Sequence, residues 1–168
     1  MPQLAGETIL ASDIIPVKVY RKAATENRTS LTLTNDADFV NLPFAANKTF
    51  NIRCLFAVTG SAITTDFSTQ FVLGGGLAQL TSKSNVGPEL ASSNVASTLM
   101  VANRSNIVTL INFGTPASGS IHAEQEFIAE TTTSGTAGTL TFQWAPVGAG
   151  TCSLLSSSVI IVQEVEMQ

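Results

Sequence analysis

KTFNIRCLFAV, Lys48 to Val58, alternates apolar and polar residues along its length. Phe50, Ile52, Cys54, Phe56 and Val58 fall on one side of an extended chain, while Thr49, Asn51, Arg53 and Ala57 fall mainly on the other. Successive side chains of a strand point to opposite faces, so this period of two predicts a strand with one face in a core. Asp66 to Leu73 repeats the pattern with Phe67, Phe71 and Leu73, and Gly138 to Ala145 sets Leu140, Phe142 and Trp144 opposite Thr139, Thr141 and Gln143. Trp144 shares its face with Leu140, which assigns it to the core rather than to an exposed sugar-stacking platform.

The same reading places strands at Val17 to Arg21, Arg28 to Thr34, Asp38 to Leu42, Ile107 to Phe113, Ile121 to Thr131 and Ser158 to Glu166, with weaker ones at Leu77 to Thr81 and Val95 to Val101. Asn35-Asp36, Gly60-Ser61, Gly74 to Gly76, Gly87-Pro88, Pro116 to Gly119, Gly135 and Gly148 to Gly150 break the chain between them. No segment carries a capped helical repeat. The expected fold is all-β: an antiparallel sandwich, jelly-roll-like, of about ten strands. Residues 16–168 form its single domain, and residues 1–15, which lack alternation and precede Pro16, form an extended N-terminal arm. Val159 to Val162 is apolar at every position, which calls for a central strand or a covering neighbour. Covering is preferred, which makes Ile160 and Val162, with Leu4, Ile9, Leu10 and Ile14 of the arm, the candidate subunit contacts.

Charged residues make up only 12% of the 168, hydrophobic residues 44%, and Ser and Thr together number 38. A neutral surface suits faces that meet other subunits, because each charge buried at an interface needs a partner. The net charge of −4, with eight Lys and Arg spread singly, offers no basic stripe for a phosphate backbone, so no nucleic-acid partner is expected. No apolar run has the length of a membrane span, and Met1 to Ile15 lacks the basic start of a signal peptide, so synthesis in a cytoplasm is expected. Cys54 and Cys152 are too few for a zinc pattern or disulfide framework, and Cys54 reads as a buried reduced thiol.

Few residues offer chemistry. His122, Glu124 and Glu126 share one face of a strand and could in principle hold a metal, but with Glu130 they read first as a solvated polar stripe. Asp13, Asp36, Asp38 and Asp66 sit near turns and could ligate calcium, but Asx hydrogen bonding accounts for them more simply. Gly74 to Gly76 is followed by no Lys-Ser/Thr pair, which excludes a phosphate loop. No nucleophile elbow is present, and neither catalytic, cofactor nor metal residues are assigned.

NDADFVNLPFAANKTFNIRCLFAV, Asn35 to Val58, resembles a segment of tailed-bacteriophage virion proteins, in which an acidic turn, a short strand, a small-residue turn and a long alternating strand follow in order. GTLTFQWAP, Gly138 to Pro146, the closing strand Val159 to Val165 and the Arg28-Thr29-Ser30 strand start are similar to the same modules. The resemblance implies a jelly-roll sandwich of the head decoration or minor tail type, usually homo-oligomeric, and it transfers no catalytic residue. Lacking a coiled coil, collagen-like repeat or attachment domain, the chain is expected to be a capsid decoration protein on the particle exterior. It would bind the major capsid protein or other virion proteins, and itself as a homotrimer. The alternative is a small tail or fibre-tip protein that binds a host-surface glycan through Ser82 to Ser97 or Thr115 to Ser120.

Overall fold

The computed structural model describes residues 16–62, 64–88, 100–116 and 119–165. The arm residues Leu4, Ile9, Leu10 and Ile14 lie outside them. Among the described residues the chain forms β1 (Val17–Arg21), β2 (Glu26–Arg28), β3 (Thr34–Asn35), β4 (Leu42–Phe44), β5 (Thr49–Gly60), β6 (Phe67–Gly75), β7 (Ala78–Gln79), β8 (Lys83–Pro88), β9 (Met100–Ser105), β10 (Ile111–Phe113), β11 (Ile121–Glu130), β12 (Gly138–Pro146), β13 (Cys152–Leu154) and β14 (Val159–Val165). The fold is all-β, as the alternation implies.

Two antiparallel sheets share these strands. The nine-stranded sheet runs β1-β14-β5-β11-β8-β9, with β13, β2 and β7 attached, and the five-stranded sheet runs β10-β6-β12-β3, with β4 beside β12. The long strand β5 sits between β14 and β11, with Cys54 opposite both Ile160 and Gln125. Its inward residues Phe50, Ile52, Cys54, Phe56 and Val58 meet Phe67, Phe71, Leu140, Phe142 and Trp144 from the other sheet in one core. Phe56 stacks on Phe142 at 4.2 Å across the middle of the sandwich. Both cysteines are free and buried, and burial pushes the Cys152 thiol up to about 12 and the Cys54 thiol higher still.

Departures from the expected strands have local causes. Arg28 to Thr34 is not one strand: β2 pairs with β13 in one sheet and β3 pairs with β12 in the other, so residues 29–33 carry the chain across. Asp38 to Leu42 gives way to a turn, because Asp36 Oδ1 accepts the amides of Asp38 (3.0 Å) and Phe39 (3.2 Å) and Asn41 adopts φ 52°. Strand β10 is shorter than Ile107 to Phe113 because Asn106 accepts the Val108 amide through its side chain and the Thr109 amide through its carbonyl. Lys83 to Pro88, expected to be loop, is instead a strand between β11 and β9. Gly87 is required there, since a Cβ would lie 2.3 Å from Phe113 Cδ1 of the opposite sheet.

Strand β8 turns polar residues inward. Lys83 is 0% exposed; its Nζ donates to the Thr109 carbonyl at 3.0 Å and lies 5.4 Å from the Phe71 ring, neither of which carries the negative charge that holds a proton. Burial therefore lowers its pKa from 10.5 to about 8. Between those values the unfolded chain binds the proton and the folded chain does not, so this group adds stability as pH rises. The two buried thiols act oppositely above their unfolded pKa, so the effect is isolated as a difference. Relative to Lys83→Met, the wild type should gain about 3 kcal/mol between pH 7.5 and 10.5 in urea titrations. A constant difference across that range would contradict the buried, unpaired lysine.

Candidate assembly surfaces

Charge is divided unequally between the two sheets. The strands of the nine-stranded sheet contain Lys18, Arg21, Glu26, Arg28, Arg53, Lys83, Arg104, Glu124, Glu126, Glu130 and Glu164, whereas β3, β4, β6, β10 and β12 contain no charged residue. The outward positions of the smaller sheet are Asn35, Pro43, Ser68, Gln70, Val72, Gly74, Asn112, Thr139, Thr141, Gln143 and Ala145, as the pairing of β6 with β10 and β12 requires, and of these Ser68, Thr141 and Ala145 are covered by the chain itself. Val72 is 43% exposed at its centre and Leu110 45% exposed at its margin. Beside them, Leu31, Leu33, Leu110, Pro146 and Val147 line a shallow apolar hollow, closed on one side by the 29–33 crossing segment.

The outer face of the larger sheet is mixed. The β1, β14 and β5 pairings align Val17 with Gln163, Val19 with Ile161 and Arg53, and Val159 with Leu55, giving a short apolar stripe at the β1 edge. Ile160 and Val162, proposed above as subunit contacts, point the other way: they are 0% and 4% exposed within the chain's own core. Strand β14 is central, between β1 and β5, so its apolar run covers two faces. Val159 and Ile161 are its outward residues, and Gln163, of the same parity, was the signal that could have set the register.

Toward β11 that outer face becomes polar and internally paired. Arg53 Nε donates to Glu124 at 2.6 Å, Asn51 donates to Glu126 at 3.1 Å, and Lys48 pairs with Glu164. Thr132 and Thr133 donate to Glu130, holding its carboxyl below the usual range. His122, Glu124 and Glu126 do share the strand face, but Arg53 and Asn51 take the two carboxylates, and among the described residues no three potential ligands gather around a common point. Asn51, Thr81, Ser82, Ser84, Arg104 and Glu126 line a groove of about 340 Å³ on this side. Of the two loops expected to reach a glycan, residues 89–97 and 117–118 lie outside the described residues; Ser82 contributes to this groove, Lys83 to Pro88 is strand, and Thr115 is buried, its hydroxyl donating to the Thr65 carbonyl.

A buried charge cluster fixes the two sheets to each other. Lys22, after β1, donates to Asp36 at 2.7 Å, Glu26 at 3.0 Å and Asp38 at 3.2 Å. Burial pulls the Lys22 pKa down, but the bonds and charges of Asp36 and Glu26 outweigh it and hold the pKa above its ordinary value. Trp144 Nε1 donates to Asp36 at 3.0 Å, and the Arg28 guanidinium lies 4.1 Å from the Trp144 ring while donating to the carbonyls of Thr34 and Asn35. Asp36 thus serves as a turn residue, as its position suggests, and also as the anchor of this cluster, which sequence spacing does not reveal.

No family model matches the chain, and no curated protein matches it. Among solved structures it is similar to that of the infectious bursal disease virus Gx strain, at 9% identity and TM-score 0.23, covering 98% of this chain and 43% of that one. A crystal structure of the infectious bursal disease virus VP2 subviral particle gives 11% identity and TM-score 0.23, with 98% and 44% covered. The chain therefore spans less than half the length of these structures. At such scores the chains share no close superposition, and no role passes from them to this chain.

Proposed function

We propose that this chain is a non-enzymatic structural protein of a virus particle, and that it works as a capsid decoration protein of a tailed bacteriophage. It is made in the host cytoplasm and assembles on the particle exterior, against the major capsid protein or other virion proteins. The observation that carries this reading is the charge-free outer face of the five-stranded sheet. An uncharged, hydrogen-bonding face can be removed from water without stranding an ion, which is the requirement of an assembly surface. The phage assignment rests on the resemblance of Asn35 to Val58 and Gly138 to Pro146 to virion modules.

A second reading, a tail or fibre-tip protein that binds a glycan, has the Asn51–Arg104 groove in its favour. The groove is of ligand size and lined by hydrogen-bonding side chains, and Asn51 Oδ1 within it is buried without a partner.

Reconstructions of whole particles with and without the protein decide between these. Density spread over the shell is expected; density only at the tail selects the second reading, and density on neither removes both. Deletion of Met1 to Ser12 should leave a folded sandwich that attaches more weakly. Undiminished particle binding by that variant would exclude the arm as a contact.

A further inference from the structure

We infer that the charge-free sheet pairs with the same sheet of a second copy, as a two-fold, face-to-face dimer. This rests on the reading of that face as an assembly surface and names its occupant.

Charge decides the occupant. When a face meets itself across a two-fold axis, every charge on it is repeated on the partner, near its like or near an ion already paired. The outward face of β11, with Glu124 and Glu126 already taken by Arg53 and Asn51, gains nothing from such pairing. On the smaller sheet nothing opposes it, because no strand of that sheet carries a charge. Gln143 Nε2 already donates to Asn35 Oδ1 and Gln70 Nε2 to the Val108 carbonyl, but the second N–H of each amide, both Oε1 atoms and the Thr139 hydroxyl remain, none of them an ion, so a copy of the face can meet them. Asn112 Oδ1 is an acceptor without a partner in the single chain, buried at the edge of the apolar hollow.

Symmetry separates a dimer from the homotrimer expected above. In a closed ring of three, each copy presents two different patches to its neighbours. A three-fold ring would need a second, different patch to receive the neutral face, and the other broad face carries the charges of the larger sheet and points the opposite way. A two-fold axis uses the neutral face twice.

The four-strand width of the sheet, with β6 and β12 at full length and β10, β3 and β4 as short segments, gives roughly 400 Å² of surface. The exposed flanking residues Leu31, Val108, Leu110 and Val147 extend it toward the roughly 800 Å² per partner of a standard interface.

The test is sedimentation equilibrium of the purified full chain with Val72→Glu/Leu110→Glu, Ile161→Glu on the opposite sheet, and the Met1 to Ser12 deletion. Far-UV circular dichroism and thermal melts confirm that each is folded. Wild type, Ile161→Glu and the deletion should each sediment at twice their own chain mass, which is 17.5 kDa for the wild type. The Val72→Glu/Leu110→Glu variant should be monomeric at tenfold higher concentration or more. A wild-type monomer at hundreds of micromolar, a trimer, an associating charged variant or loss of association on deleting the arm each overturns the inference. A monomer that still decorates particles sinks the dimer and spares the proposed function; a dimer absent from particles does the reverse.

Discussion

Asp36→Ala is expected to lose about 3–5 kcal/mol of folding stability, the range found when one partner of a buried ion pair is removed. Its carboxylate is 0% exposed and answers four donors: the amides of Asp38 and Phe39, Lys22 Nζ and Trp144 Nε1. Truncation leaves the indole N–H unpaired in the core and frees the turn that separates β3 from β4. Asp38 and Glu26 keep some hold on Lys22, which argues for the lower half of the range, while the two orphaned backbone amides argue for the upper. Asp36→Asn retains an acceptor for the turn but not the charge, and should lie between wild type and alanine. Urea unfolding followed by fluorescence reports this directly, since Trp144 is the single tryptophan and sits in the cluster. A loss under about 1 kcal/mol for alanine would mean that the cluster does not join the sheets.

Trp144→Ala is expected to cost more, about 5 kcal/mol or beyond, from the cavity left by a fully buried ring together with the loss of one of the four donors to Asp36 and the unstacked Arg28. A domain of this size has about 5–15 kcal/mol in total, so the variant should be largely unfolded. Trp144→Phe keeps the ring against Phe67 and loses the indole N–H, and should fold with reduced stability. Amide dispersion in NMR spectra and far-UV circular dichroism distinguish the two. A dispersed, native-like spectrum for Trp144→Ala that had lost only surface binding would place the ring outside the core.

How far these features can be read from sequence depends on whether local pattern or tertiary pairing produces them. Strands β5, β6 and β12 are legible within a residue or two because apolar side chains alternate against polar ones, and β1 because Pro16 precedes a regular VKVYR. Strand β8 is not legible, since its inward residues Lys83, Asn85 and Gly87 invert the usual polarity. They are tolerated because Asn85 bonds Asn103 and Ser105 of β9 while Gln125 bonds Asn85. Strand β14 shows the limit of an unbroken apolar run: its existence is plain, but its facing is not, and a reading one residue out of register puts Ile160 and Val162 on the outer face in place of Val159 and Ile161. The charge-free face was half visible. Phe67 to Gly75 and Gly138 to Pro146 lack charges in the sequence, but their union in one sheet comes from a register that spans about 70 residues.

The pairing of β1 with β14 sets Val17 beside Gln163, and the Glu164 amide donates to the Pro16 carbonyl at 3.2 Å. The path into the sandwich and the path out of it therefore share one doorway. A tether fixed at either residue pulls on the same rim, and force applied between residues 16 and 165 peels β1 from β14 one ladder bond at a time instead of shearing the whole sheet. A short peptide joining those residues could close the chain into a ring without bending a strand, leaving new ends free to be opened in a surface loop.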